Sequence, residues 1–212
     1  MKLELYYTTT TCSLAAHIGL EETGAPFEAH FVKLYRQEEV AAYRAIVPAG
    51  KVPALRVDGE VLTENIAILT LLARLFPDSG LLPEDPLEAA QCISMMSWFA
   101  STAHLDRRQA RVPSRFAADE ASHAALAAAG SARFLADLRR IDDMLAGRTW
   151  LAGDHFTAAD GYALVFWGWA IADGQPVGEL PNFAAHAQRV MARPAVQRAL
   201  QRERHPLVRT EG

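Results

Sequence analysis

The sequence predicts an α/β unit followed by an all-helical one. Three observations carry this. A strand–helix–strand pattern fills the first third of the N-terminal part, and two short β-rich runs flank Asp58-Gly59. Beyond residue 87 the apolar residues fall in long alanine- and leucine-rich segments with no strand-like run. The expected order is βαβ-α-ββ-α over residues 1–78, a linker at 79–87 and a helical domain at 88–212.

Leu3 to Tyr7 is rich in β-formers and runs into four threonines, Thr8 to Thr11, giving a strand and a loop. Leu14, Ile18 and Leu20, with Ala15 and Ala16, predict a helix over Cys12–Thr23 that stops at Gly24, a residue suited to a left-handed C-terminal cap. Phe27 to Leu34 reads as a second strand. A crossover of about thirty residues makes the two strands parallel, with a right-handed connection. Glu38 to Ile46 is a weak helix, broken by Val47-Pro48-Ala49-Gly50. Val52 to Val57 and Glu60 to Thr63 flank Asp58-Gly59, a hairpin signal. A helix over Glu64–Leu75 ends before Phe76-Pro77-Asp78. Asp78 to Pro86 is turn-rich and reads as a linker. Helices are then expected over Glu88–Leu105, Glu120–Ala146, Thr157–Ile171, Asn182–Met191 and Pro194–Arg202.

Half of the 212 residues are hydrophobic and 22% are charged, which excludes a disordered chain. The net charge of −4 gives no reason to expect nucleic acid or an anionic membrane as partner. No stretch approaches the length of a membrane span, and MKLELYYTTTTCS lacks the apolar run of a secretory signal. The two cysteines, Cys12 and Cys92, form neither a CxxC pair nor a disulfide framework. Free thiols in the cytoplasm are therefore expected. The histidines lack metal-ligand spacing, so no metal site is expected.

Three pieces could carry chemistry. Cys12 starts the first helix, where unpaired N–H groups and the positive dipole end favour a thiolate. The threonines and Ser13 around it offer hydroxyls in place of apolar bulk. The competing reading is a small buried residue, and Ala15 argues against a dithiol cycle. Second, Pro53 opens a strand and forfeits a ladder hydrogen bond. That suits an edge, or a place where an extended peptide pairs with the N–H and C=O of Val52. By itself the bond would be trans, since cis accounts for about 5% of X–Pro bonds. Third, Glu64 and Asn65 stand where a helix begins. They serve as caps, or the helix N-terminus receives a ligand carboxylate while Glu64 pairs with a ligand ammonium. Together these pieces ask for a ligand with a thiol, a peptide backbone, a carboxylate and an amine. Glutathione has all four.

Four motifs, LYYTTTTCSLAAHIGLEE, GKVPAL, LTENIAIL and FTAADGYAL, resemble in order and spacing those of the cytosolic glutathione transferases. The resemblance implies a thioredoxin-like first domain, a helical second domain, glutathione as cosubstrate and a homodimer. It also favours a cis Val52–Pro53 bond. The Cys-Ser-Leu start is most similar to the bacterial beta class, which implies that Cys12 stands near the glutathione sulfur and can form a mixed disulfide with it. Tyr7 and Ser13 join Cys12 as candidates for thiolate stabilisation, and His104 is expected to approach from the helical domain. The backbone of Val52, within Lys51-Val52-Pro53, is expected to pair with the cysteinyl part of glutathione. Glu64 and Asn65 are expected at its γ-glutamyl end, and Lys33 or Arg36 at its glycyl end. Trp169 is expected to line the electrophile pocket, and Trp98 and Trp167 flank the same cleft.

The sequence departs from the beta-class pattern at three places. Thr9 and Thr10 stand in place of Pro-Gly, Asn65 where serine or glycine is common, and Thr102 where an acid is usual. In Phe156-Thr157-Ala158-Ala159-Asp160 the pattern is a helix capping box, a folding device worth about 1 kcal/mol. Cys92 is expected in the core. The activity implied is conjugation of the glutathione thiolate to a small apolar electrophile. Two rivals are a thiol transferase or disulfide reductase in which Cys12 attacks, and a glutathione-liganded binding protein with little catalysis.

Overall fold

The computed structural model describes residues 1–208. Its first part is a four-stranded sheet of β1 (Leu3–Tyr7), β2 (Glu28–Phe31), β3 (Ala54–Val57) and β4 (Glu60–Thr63), in the order β2-β1-β3-β4. β1 and β2 run parallel across α1 (Ser13–Thr23), with Leu5 opposite Ala29. β3 and β4 are antiparallel, and β3 pairs with β1 through Leu5 and Leu55. The Asp58-Gly59 turn takes φ of 48° and 100°, the double left-handed geometry of a tight hairpin. Gly24 caps α1 with φ 68°. α2 (Gln37–Arg44) and α3 (Asn65–Leu75) complete this part. Val52–Pro53 is cis, as the motif implied.

The helical part holds α4 (Pro86–Trp98), α5 (His104–Arg111), α6 (His123–Met144), α7 (Ala158–Ala172), α8 (Pro181–Met191) and α9 (Pro194–Glu203). One correction concerns the helix expected over Glu88–Leu105. It is two helices joined by a π-helical turn at Phe99–Ala103, closed by the His104 N–H on the Phe99 carbonyl. Such a turn adds a residue to the helical repeat and shifts the phase of every face after it. Apolar periodicity is nearly blind to so local a change.

The main apolar core runs through both parts, from Leu3, Leu5 and Tyr7 of β1 to Val196 and Leu200 of α9, and a smaller cluster of Tyr6, Val32, Tyr43, Val47 and Ala54 lies on the other face of the sheet. α1 is its centre, with Ser13 through Glu21 all buried. Gly19 and Gly161 permit the close crossings. A Cβ on Gly19 would meet Leu69 of α3 at 2.5 Å, and one on Gly161 would meet Ile18 at 3.0 Å. On the far side α1 is tied to α9 by Glu21–Arg198 at 2.6 Å and by a fully buried His17–Glu203 contact at 2.9 Å.

The capping box is present and carries more than a cap. Asp160 accepts from the N–H of Thr157 at 2.8 Å and from its hydroxyl at 3.0 Å. It also accepts from the N–H of Leu151 at 2.9 Å and from Nε2 of His186 at 2.7 Å. One buried carboxylate thus joins α7, the segment before it and α8. Cys92 is fully buried, as expected.

Candidate functional site

Cys12, Val52 and the N-terminus of α3 come together at one end of the sheet. An inner lobe of about 210 Å³ is lined by Cys12, Lys51, Val52, Pro53, Glu64 and Asn65, and closed from the helical part by His104, Arg108 and Tyr162. An outer lobe of about 400 Å³ opens beside it. It shares Cys12, Lys51, Val52, His104 and Arg108 with the inner one and reaches Trp169. The two lobes meet at Cys12.

Local structure explains how these groups are held. Asn65 is buried and donates its Nδ2 to the Cys12 carbonyl at 3.0 Å, fastening the start of α3 to the start of α1. Its Oδ1 is buried without a partner among the described residues. Glu64 precedes it with φ 72°, a left-handed setting costly for a side-chain-bearing residue and typical of functional sites. Among the described residues the exposed Glu64 carboxylate has no cationic partner, and the Val52 N–H has no acceptor. The Val52 carbonyl is 3.7 Å from the Cys12 thiol, which donates to it.

The Cys12 thiol reverses the expectation. Burial pushes it up to about 11, and the nearby Arg108 charge only partly offsets this. At neutral pH the group is a thiol and a donor. The helix terminus is there, but desolvation outweighs it. His104 moves the other way. Burial, with Arg108 and Arg107 beside it, lowers it to about 4, so its imidazole is neutral at pH 7. Its ring centre is 4.9 Å from that of Trp169. Trp169 donates Nε1 to the Thr10 carbonyl at 2.9 Å and carries Arg107 over its face at 4.3 Å. Thr10 itself takes φ 60°, the conformation a glycine adopts most easily. The loop therefore keeps a left-handed turn without the Pro-Gly pair, pinned by Trp169.

Four candidates lie elsewhere. Tyr7 shares the face of β1 with Leu3 and Leu5, turned toward α1; its hydroxyl is 3.5 Å from the Arg202 carbonyl and its ring 5.1 Å from that of His17. Alternation along the strand sends it away from the cleft. Ser13 is fully buried, its hydroxyl accepting from the Thr8 N–H at 3.2 Å and donating to the Thr8 carbonyl at 3.0 Å. It holds the threonine loop and faces neither lobe. Lys33 and Arg36 both turn to Glu39, at 3.0 and 3.8 Å, and neither lines a lobe. Of the tryptophans, Trp98 lies under Arg140 and Trp167 against Phe183, which leaves Trp169 at the cleft.

Sequence reasoning missed Tyr162, Arg107, Arg108 and Arg111. The last three follow His104 at i+3, i+4 and i+7, the spacing of one helical face, and that signal was readable. Tyr162 stood inside a quoted motif as apparent core. On the far edge of the sheet, Glu4, Glu28 and His30 hold ligand-type atoms within 4.8 Å of one another. The Lys2 ammonium sits among them, 3.3 Å from Glu4 and 3.2 Å from Glu28, and supplies the positive charge. Among the described residues no helix is long and apolar enough to cross a membrane.

The chain matches the family profile "Glutathione S-transferase, N-terminal domain" over residues 11–75 and "Glutathione S-transferase, C-terminal domain" over residues 107–194. It is 33% identical to Glutathione S-transferase GstA of Escherichia coli O157:H7, over 95% of this chain and 98% of that one. Among solved structures it resembles a glutathione transferase homologue from Sulfitobacter with bound glutathione, at TM-score 0.88 and 31% identity over 95% of this chain and 98% of that one. It also resembles the beta-class enzyme of Sphingomonas chungbukensis, at TM-score 0.84 and 35% identity over 94% and 98%.

Proposed function

This chain belongs to the glutathione S-transferase family, and on that premise we propose that it transfers the glutathionyl group to an electrophile with an apolar or aromatic body, held in the outer lobe. The observation that carries this reading is the convergence of Cys12, Val52, Glu64 and Asn65 on one lobe that opens directly onto a second, larger one floored by Trp169, Leu34 and Val40. The N–H of Val52 pairs with the cysteinyl part of glutathione. Glu64 takes its ammonium, and the first backbone amides of α3, held in place by the Asn65 side chain on the Cys12 carbonyl, take its γ-glutamyl carboxylate. The sulfur then points at Cys12.

The nucleophile in this reading is glutathione's own sulfur. Cys12, protonated at neutral pH, turns its S–H from the Val52 carbonyl to the bound thiolate, and the Arg108 charge favours the anion. The neutral imidazole of His104 is a hydrogen-bonding group at the junction of the lobes, and with Trp169 it sets the electrophile against the sulfur. Attack forms the S–C bond while the leaving group departs with its electron pair to solvent. Holding both reactants in adjoining lobes supplies much of the rate. The raised thiol favours this over the route in which Cys12 attacks a disulfide, because only a thiolate is an effective nucleophile there. A homodimer and a cytoplasmic location belong to the same proposal, and light scattering of the purified protein tests the first.

The experiment is glutathione turnover with chlorodinitrobenzene beside glutathione-dependent disulfide exchange, in wild type and Cys12→Ser. The expected result is conjugation that survives the substitution within about tenfold, since one neutral donor is lost. Exchange that vanishes with the substitution, without conjugation in wild type, would make Cys12 the nucleophile. Glutathione binding with neither activity would leave a binding protein.

A further inference from the structure

We propose that the second substrate is an anion, an electrophile whose apolar or aromatic body carries a carboxylate or an equivalent acidic group. This deepens the transferase reading above and rests on it. The outer lobe is walled by Arg44, Lys51, Arg107, Arg108, Arg111 and Arg115, and no carboxylate lines it among the described residues. The chain has 21 lysines and arginines and a net charge of −4, so gathering six of its cations around one cavity is a local departure from its overall balance. Asp173 engages Arg107 at 2.6 and 3.1 Å and lies 3.6 Å from Arg111. Among the described residues, Arg44, Lys51, Arg108 and Arg115 have no carboxylate within ion-pair distance.

The arrangement follows from the fold. α5 turns Arg107, Arg108 and Arg111 to the same side as His104, after the π-helical turn has set the phase. Arg115 follows in the next short helical turn, and Arg44 closes from the end of α2 in the sheet domain. Like charges on a concave wall repel, and a cleft of one sign focuses its field on an opposite charge. The one glycyl carboxylate of glutathione does not account for six cations. The inner lobe shares Lys51 and Arg108 with the outer one, but Arg44, Arg107, Arg111 and Arg115 line only the outer lobe. Trp169 and Val112 line that same lobe and give the uncharged body of the substrate its surface. Arginine's planar fork suits a carboxylate bidentately.

The test uses two haloarenes that differ by one acidic group, chlorodinitrobenzene and chlorodinitrobenzoate, with wild type and the Arg111→Gln/Arg115→Gln double variant. Each kcat/KM is divided by the uncatalysed rate of that haloarene with glutathione. Wild type is expected to favour the benzoate by about tenfold, the scale of one good charge-assisted hydrogen bond. That preference falls as ionic strength rises and is lost in the variant, whose Kd for glutathione stays within about twofold of wild type. An equal preference in wild type and variant overturns the proposal. So does a glutathione affinity that collapses in the variant, which would assign these arginines to glutathione. Calorimetry with the two preformed glutathione conjugates makes the comparison without turnover. If neither haloarene reacts yet the carboxylated conjugate binds about tenfold tighter to wild type alone, the transferase reading fails and the anion site stands. Equal affinity for both conjugates overturns the anion site whatever the turnover.

Discussion

Replacing Asp160 by alanine removes four hydrogen bonds at once from a fully buried position. Its Oδ1 holds the Leu151 N–H and the His186 ring, and its Oδ2 holds the N–H and hydroxyl of Thr157. Two backbone amides and one imidazole are left buried without acceptors. Each such group costs about 1–3 kcal/mol, so the expected loss is about 5 kcal/mol, well beyond the roughly 1 kcal/mol of a helix cap alone. For a chain of this size that corresponds to a fall in Tm of about 10–20 °C. Urea unfolding followed by tryptophan fluorescence and far-ultraviolet dichroism measures it, with Thr157→Ala as the comparison. Thr157→Ala removes the cap and one of the four bonds to Asp160 but leaves the two backbone amides and the imidazole paired, and should cost about 1–2 kcal/mol. If Asp160→Ala costs no more than Thr157→Ala, the three-way junction of α7, Leu151 and α8 does not hold the helical domain together as described.

Two further predictions concern the cleft. The Cys12 thiol is raised to about 11 by burial, so iodoacetamide should alkylate it at a rate that climbs about tenfold per pH unit up to pH 9 without levelling. A plateau below pH 8 would mean that the helix terminus outweighs desolvation after all. Asn65→Ala removes both the bond to the Cys12 carbonyl and the buried, unpartnered Oδ1. The KM for glutathione should rise about tenfold with a smaller change in KM for the electrophile. An equal rise in both would place Asn65 in general packing, away from the γ-glutamyl end.

What could be read before folding was mostly what periodicity and turn chemistry encode. The hairpin at Asp58-Gly59, the cap at Gly24 and the capping box at Thr157 and Asp160 all stand where local rules put them. The position of Val52, Glu64 and Asn65 around one lobe followed from motif order. Site residues were misplaced where the outcome depended on a face or on dielectric. Tyr7 and Tyr6 are neighbours on β1, yet Tyr6 joins Val32 and Tyr43 on one face while Tyr7 joins Leu3 and Leu5 on the other. Sequence alone did not say which face met the cleft. Lys33 and Arg36 were plausible by proximity in the chain, and Glu39, only a few residues on, takes both. The thiol of Cys12 was judged by its helix terminus, but its protonation is decided by how much water surrounds it, a tertiary quantity. The arginines after His104 were visible as a helical face, and their meaning required knowing that a cavity lay in front of them.

In the proposed reaction the nucleophile is the sulfur of bound glutathione, with Cys12 as a neutral donor beside it. The most direct measurement is the pH titration of the thiolate absorbance of bound glutathione, by ultraviolet difference spectroscopy, in wild type and Cys12→Ser. The expected result is a bound thiol that ionises about one pH unit or more below free glutathione in wild type, and still below it in the variant. A bound thiol that titrates like free glutathione in wild type, or a mixed disulfide with Cys12 as the species that turns over, would contradict it.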